Sequence, residues 1–492
     1  MSRQAINFFV NGQAYQVDDA HAFTSLSQFL RERLQLVGTK IVCAEGDCGA
    51  CSVLLGRPDP AGNGFRYRSV DSCIVMLPQV DGTHVVTVEG LAQADGRLSP
   101  VQQAMVDCHG SQCGFCTPGF VTTIHGLVEE LPEGGSRLDR DTASLGLSGN
   151  LCRCTGYEQI LEACDSIEAT QVQRLSDRYD DRAIAQELYE TTRSPALVKH
   201  DRFQVMVAKD LPSALQFKRD HPEARILSGC TDVGVQRTHG RFHDTKWLVI
   251  NSIDSLQQTK AESDDSGDRS LTFGSATTWT DVLNTLDDCF IEFDPILKRF
   301  GSPQIRNIGS IGGNLVNASP IADSIPFLFV AEAILRIESA ERGPRSVPIV
   351  GFYRGYKDVD LEPDEIVTAV TIPLPRSDEQ FKLYKFSKRR DMDISTLTAA
   401  FRLRVIGDRI EDARVALGGV AATVLRMRGA EQALVGKSFD AATFQAAGNI
   451  AADSIQPLSD VRGAADYRRV LARNVFMKCF HDLTPAMTKE MV

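Results

Sequence analysis

Cys43 is followed by four residues, then Cys48, then two residues and Cys51, with Cys73 further along. Thiolate sulfur favours soft metal centres, and a C-x4-C-x2-C triplet with a distant fourth cysteine is the plant-type spacing of a [2Fe–2S] cluster. Each of two irons needs two thiolates, so four sulfurs must meet in one small volume. One loop can supply three of them only by wrapping tightly, and the residues between are small: Ala44, Gly46, Asp47, Gly49 and Ala50. Glycines there open backbone angles closed to other residues and let amide N–H groups approach the sulfurs, which favours the reduced, more negative cluster. Zinc is the competing reading, but zinc ribbons use paired C-x2-C knuckles, which this triplet is not.

A second group follows, Cys113-Gly114-Phe115-Cys116 with Cys152-Arg153-Cys154. Each pair precedes an expected helix start: Thr117-Pro118-Gly119 after the first and Gly156-Tyr157 after the second. Positive helix ends offset thiolate charge. Taken alone this group fits zinc as well as iron; beside the first, a second [2Fe–2S] cluster is expected. Of the 13 cysteines, Cys108, Cys164, Cys230, Cys289 and Cys479 are scattered, and most are expected to be small buried apolar side chains. The N-terminus shows no basic-then-apolar leader, so a cytoplasmic location is expected, where clustered thiols bind metal rather than pair as disulfides.

Two glycine turns could cradle phosphate with backbone N–H groups alone. One is Leu227, Ser228, Gly229, Cys230, Thr231, Asp232 and Val233 after a strand; the other is Ser310, Ile311, Gly312, Gly313 and Asn314. Neither is G-x-G-x-x-G, so a Rossmann dinucleotide site is not supported. Each turn by itself reads more readily as an ordinary tight turn than as a phosphate site.

The elements that must position these residues follow from periodicity. Ile6 to Val10 and Gln13 to Val17 flank Asn11-Gly12, a hairpin signal. Thr24 or Ser25 then caps a helix with Leu26, Phe29, Leu30 and Leu34 on one face. Strands are expected at 52–55 and 85–88. From Pro100 to about Ile167 the spacing is helical, and 168–195 reads as a charged linker, partly helical. Strands and helices mix over 196–377, with an acidic turn at 262–270. An α+β unit closes the chain, its clearest strand at 413–420 and helices from about 428.

A chain of 492 residues implies several domains. A net charge of −11 without basic runs argues against nucleic acid. The longest apolar stretch, 325–337, is broken by Glu332 and is too short to span a membrane.

The two cysteine groups, with Gln112 before the second and Asn150-Leu151 and Thr155-Gly156-Tyr157 around its later pair, resemble the N-terminal third of the xanthine dehydrogenase/aldehyde oxidase family of molybdenum hydroxylases. All eight ligand positions match in order and spacing. The resemblance implies a multidomain α+β fold: a β-grasp ferredoxin-like [2Fe–2S] domain (1–90), a helical [2Fe–2S] domain (91–167), a linker (168–195), an FAD-binding α+β domain of vanillyl-alcohol oxidase type (196–377) and a C-terminal α+β flavoprotein domain (378–492). It implies that both glycine turns hold FAD, with Phe300 by the isoalloxazine and Ser319, Asp323, Val367 and Lys385 completing the pocket. Cys230 departs from the small or polar residue usual at its position, which leaves only its backbone role. Tyr356 matches a position near an NAD site, and Lys388-Arg389-Arg390-Asp391 lies where acceptor access is controlled, though such a run also reads as a solvated loop.

Gln112 matches a position beside molybdopterin, which here belongs to a partner. The implied partner is a large molybdopterin-binding subunit, in a heterotetramer of two small and two large chains, with the substrate site and its catalytic residues on that partner. The implied role is electron transfer from the partner through two clusters to FAD and on to NAD. An equivalent subunit serving another N-heterocycle or an aldehyde fits the same residues. From a different class, a zinc-stabilised module without redox activity also carries clustered cysteines.

Overall fold

A computed structural model describes residues 2–59, 62, 64–132, 135–263, 267, 269–286 and 289–490. The chain packs as two compact units, Met1–Leu256 with Gly301–Ser310, and Gln257–Phe300 with Ile311–Val492. The acidic turn read at 262–270 lies partly outside the described residues. Among the described residues no helix is long and apolar enough to cross a membrane.

In the first unit, Asn11 and Gly12 adopt positive φ (49° and 79°). They close the hairpin of Ile6–Val10 and Gln13–Val17. The hairpin joins a five-stranded sheet in which Ile6–Val10 runs parallel to His84–Val86, and Ser52–Pro58 lies between His84–Val86 and Phe65–Asp71. The strand expected at 85–88 is therefore shorter, because a 3₁₀ turn begins at Val88. Ser25 caps the following helix with a capping box closed by Gln28. Phe8, Phe29 and Leu30 bury one face of this sheet.

Four helices follow, Pro100–Asp107, Thr117–Glu129, Arg140–Gly146 and Glu158–Ser166. The charged stretch after them forms two helices, Leu175–Tyr179 and Asp181–Thr192. They are tied down by a buried polar network: Tyr67 Oη lies 2.7 Å from His84 Nδ1 and donates to Asp181 Oδ1 at 2.6 Å. Gly12 N–H donates to His84 Nε2 at 3.1 Å, so the proton of a neutral His84 sits on Nδ1 and points at Tyr67. A charged linker thus buries one of its own acids. A four-stranded sheet, ordered Ala196–His200, Phe203–Val207, Lys246–Val249, Arg225–Leu227, completes the unit. Its Trp247 packs edge-on against Phe23, ring centroids 5.1 Å apart.

The second unit holds a five-stranded antiparallel sheet, ordered Thr259–Ser263, Arg269–Gly274, Ile366–Pro373, Ile334–Ser339, Gly343–Pro348. It also holds a four-stranded one, Glu379–Phe386, Leu397–Ile406, Arg409–Gly418, Leu425–Arg426. The stretch read as an apolar run divides into the helix Ser324–Val330 and the strand Ile334–Ser339. Phe327 stacks on Phe293 at 4.0 Å within a core that also includes Trp279, Ala400 and Ala416. Helices Arg428–Leu434, Ala441–Asp453 and Ala465–Glu490 cover the four-stranded sheet's far side, burying Phe444 and Phe476 against Phe401 and Leu417.

Candidate iron–sulfur and flavin sites

The first cysteine group is carried by a loop that enters the strand Ser52–Pro58 and by the turn after Phe65–Asp71. Cys48, Cys51 and Cys73 are buried and Cys43 is half-buried. The Cys43 sulfur lies within hydrogen-bonding reach of Cys48 and Cys73, and Cys73 within reach of Cys51. These contacts pull the Cys43 thiol far below its ordinary range, with the Glu45 and Asp47 amides adding to them; the same contacts and burial push Cys48 and Cys73 up. The Glu45 amide is 3.4 Å from Cys43 Sγ. Gly49 adopts φ +66°, and a Cβ there would come within 2.5 Å of the Gly149 carbonyl oxygen, so the loop closes only with glycine at this point. Beside the group, Asp71 is fully buried, 3.8 Å from Cys51 Sγ, and burial raises its carboxyl to about 7.

The second group sits nearer the surface. Cys152 is buried, Cys116 half-buried, and Cys113 and Cys154 exposed. Sulfurs pair as Cys113 with Cys154 and Cys116 with Cys152. Amides of Cys154 and Thr155 approach Cys152 Sγ at 3.4 and 3.5 Å. Cys152 N–H donates to Tyr157 Oη at 2.9 Å, and Tyr157, at φ +73°, starts the helix Glu158–Ser166. Cys116 precedes the helix Thr117–Glu129, with Pro118 in its first turn. Among the described residues no group of three or more His, Cys, Asp or Glu side chains is placed as for a single metal ion. Four-sulfur donor sets ringed by inward amides fit two [2Fe–2S] clusters.

The two groups touch. Leu151 N–H donates to the Cys48 carbonyl at 3.0 Å. Asn150 Nδ2 donates to the Gly49 carbonyl at 3.1 Å. Gln304 Nε2 donates to Asn150 Oδ1 at 2.8 Å. A Cβ on Gly119 would overlap the Gly49 carbonyl oxygen, so helix and loop meet backbone to backbone. Gln304 is missed by reading the sequence; its only local signal is Ser302-Pro303, which here caps and starts the short helix Pro303–Arg306.

The first unit also carries part of the expected flavin set. Gly229 lies so close to Ile308 and Gly309 that a Cβ would overlap the Ile308 carbonyl oxygen. This brings Leu227, Ser228, Gly229, Cys230, Thr231, Asp232 and Val233 beside Gly309 and Ser310. Ser228 Oγ is buried without a hydrogen-bond partner, and a phosphate or ribityl oxygen would satisfy it. Cys230 adopts φ +55° and burial pushes its thiol up, so only its backbone is presented to a ligand. The helix Val233–Thr238 leads from this turn to the first cysteine group: Thr238 Oγ1 donates to the Ala44 carbonyl at 2.6 Å, and Val235 packs with Cys51, Cys73 and Ile74.

The remaining expected residues belong to the second unit. Ile311, Gly312, Gly313 and Asn314 open the helix Ile311–Asn317, where Gly312 N–H donates to the Ser275 carbonyl and Asn314 accepts from Ser324. Ser275 Oγ is buried and unpartnered, a residue the sequence did not single out. Asp323 binds Lys385 and Ser395, the Lys385 and Asp323 side chains being 3% and 8% exposed. Ser319 Oγ accepts from the Ile321 amide, and Val367 is buried in the core. Phe300 packs edge-on to Trp279 at 5.0 Å. Tyr356 is 66% exposed. Lys388 donates to the Val461 carbonyl and Arg389 to that of Met392, so both chain ends are held within surface loops. Of the scattered cysteines, Cys164, Cys230 and Cys479 are buried, while Cys108 and Cys289 are only half-buried.

Four family descriptions match in chain order: 2Fe-2S iron-sulfur cluster binding domain over 8–75, [2Fe-2S] binding domain over 87–165, FAD binding domain in molybdopterin dehydrogenase over 201–375, and CO dehydrogenase flavoprotein C-terminal domain over 382–483. The fold and sites therefore define an iron–sulfur flavoprotein with two cluster-binding domains. The chain is 30% identical to xanthine dehydrogenase 1 of Arabidopsis thaliana over 96% of its own length and 39% of that protein's, so it spans about two fifths of that relative. Among solved structures it resembles a carbon monoxide dehydrogenase of Hydrogenophaga pseudoflava that lacks the Mo-pyranopterin moiety of its molybdenum cofactor (TM-score 0.53, 26% identity, 56% of this chain and 96% of that one). It also resembles quinoline 2-oxidoreductase of Pseudomonas putida 86 (TM-score 0.52, 25% identity, 57% and 96%). Taken together, the four matched domains and these likenesses are those of the iron–sulfur and flavin portion of xanthine dehydrogenase/aldehyde oxidase/CO dehydrogenase-type molybdenum hydroxylases.

Proposed function

We propose that this chain is the electron-transfer subunit of an NAD-dependent xanthine dehydrogenase, working with a large molybdopterin-binding subunit in a cytoplasmic heterotetramer of two small and two large chains. One observation carries the reading: within the first unit, the second cysteine group, the first group and the flavin turn adjoin in that order. Leu151 links the first pair and the helix Val233–Thr238 the second. When bound, two one-electron clusters and a flavin competent for hydride transfer would connect a molybdenum centre on the partner to NAD.

The residues divide the work. Cys43, Cys48, Cys51 and Cys73 would hold the inner cluster, mostly shielded from water; Cys113, Cys116, Cys152 and Cys154 would hold the outer one. The outer site opens beside exposed Gln112, Phe115 and Leu151, the surface a partner would cover. The turn from Leu227 to Val233 with Ser310 would bind FAD phosphates through backbone amides. In the second unit Ile311, Gly312, Gly313, Asn314, Phe300, Ser319, Asp323, Val367 and Lys385 are the further FAD candidates, and Tyr356 is the candidate for NAD.

Anaerobic addition of xanthine to the copurified complex tests the reading. Bleaching of the flavin and cluster bands, reversed by NAD, is expected. Failure of xanthine to bleach them removes the substrate, and failure of NAD to restore them removes the acceptor. A second reading, the same subunit serving another N-heterocycle, is favoured by the likeness to quinoline 2-oxidoreductase, and quinoline in place of xanthine separates the two.

A further inference from the structure

In the first unit a cavity of about 160 Å³, with none of the eight cysteines in its wall, is lined by His125, Arg178, Gln93, Gln171, Leu91 and Leu175 among others. His125, on the helix Thr117–Glu129, is 3% exposed, yet neither ring nitrogen has a hydrogen-bond partner. Its nearest charged neighbour, Glu129 Oε1 at 3.4 Å, lacks hydrogen-bond geometry and is already accepting from the Leu175 amide at 3.0 Å. Arg178, on Leu175–Tyr179, stacks its guanidinium 5.3 Å from the Tyr179 ring centroid and leaves its buried Nε unpartnered. Buried polar nitrogens are nearly always satisfied, so two unsatisfied groups at one cavity, from elements some fifty residues apart, point to a missing acceptor.

Size and wall chemistry narrow that acceptor. A cavity of about 150 Å³ takes one benzene ring. Here Leu91, Val172 and Leu175 supply apolar wall, while Arg178, His125 and the glutamines supply hydrogen-bonding groups. A planar fork such as guanidinium matches carboxylate geometry. We propose that this cavity binds a small aromatic or heteroaromatic carboxylate, its ring against the leucines and its carboxylate on Arg178 and His125. Binding would bridge the helical domain and the segment after it.

Calorimetric titration of the full, cofactor-loaded chain with benzoate tests this, with benzamide as the uncharged control. Saturable one-to-one binding of benzoate is expected, with benzamide about tenfold weaker or worse, since hydrogen bonds to a charged group are the stronger class. Arg178→Met, at a partly exposed position, should weaken benzoate about tenfold or more, leaving cluster and flavin spectra unchanged. Gln171→Trp, also at the surface, should block the cavity. The proposal is overturned if benzoate gives no saturable heat, as for a cavity holding water alone. It is equally overturned if benzamide binds as well, or if both variants retain the parent affinity.

Discussion

The Leu151 amide donates to the Cys48 carbonyl at 3.0 Å, joining the residue before one candidate ligand, Cys152, to another in the first group. The bond is reinforced by Asn150, whose side chain bonds the Gly49 carbonyl and accepts from Gln304. Two cysteine loops distant in sequence are thereby held as one piece.

Asn150→Ala should loosen that piece. The change removes the shorter of two bonds made by the fully buried Gln304 amide, which keeps only Thr123 Oγ1 at 3.3 Å, and one of three bonds to the Gly49 carbonyl, which keeps Ser52. A loss of about 2 kcal/mol is expected for two buried hydrogen bonds removed together, read as a lower first thermal transition. Both clusters should also be lost faster to chelator than in the parent. An unchanged transition would remove the bridging role.

Cys43→Ser and Cys113→Ser should each delete one cluster and leave the other. Iron should fall from about four to about two per chain in either variant, and each should lack a different EPR signal. Persistence of both signals in either variant contradicts the assignment of ligands.

Lys385→Met leaves Asp323 with Ser395 but without its cation, both acid and base being almost wholly buried. Removing one partner of a buried ion pair costs about 3–5 kcal/mol. The unfolding midpoint should drop accordingly, and flavin occupancy, measured by absorbance after gel filtration, should fall with it.

The Tyr67–His84–Asp181 network predicts an opposed pair of pH effects. Burial raises Asp181 from 3.8 to about 6, so between those values the folded chain holds the proton more firmly and stability declines as pH rises. Burial lowers His84 from 6.5 to about 4, so across nearly the same window the unfolded chain holds the proton and stability grows as pH rises. The two contributions oppose each other in the parent. Asp181→Asn removes the first and should expose a rise in stability from pH 4 to 6.5, about 1.4 kcal/mol per unit at its steepest. Thermal melts across that range check it; a profile parallel to the parent's would refute the coupling.

Local chemistry was legible before folding was considered. Asn11-Gly12 demands positive φ and makes a hairpin. Ser25, one of the two expected caps, caps the helix that follows. The cysteine spacings could be read because three sulfurs on one short loop are constrained by that loop alone. The segment containing Asp181 was harder: its charge reads as solvated, and burial depends on Tyr67 being present 114 residues away.

By itself the sequence determined the eight candidate sulfur ligands, the glycine turns and most of the strands and helices around them, because each depends on neighbours a few residues apart. Only tertiary structure decided that Gly301–Ser310 leaves the second unit to pack with the first. That return sets Gln304 against Asn150 and Ile308 against Gly229. Such contacts join segments separated by about eighty residues or more, and they form only when several surfaces bury together, a gain in burial that no local pattern encodes.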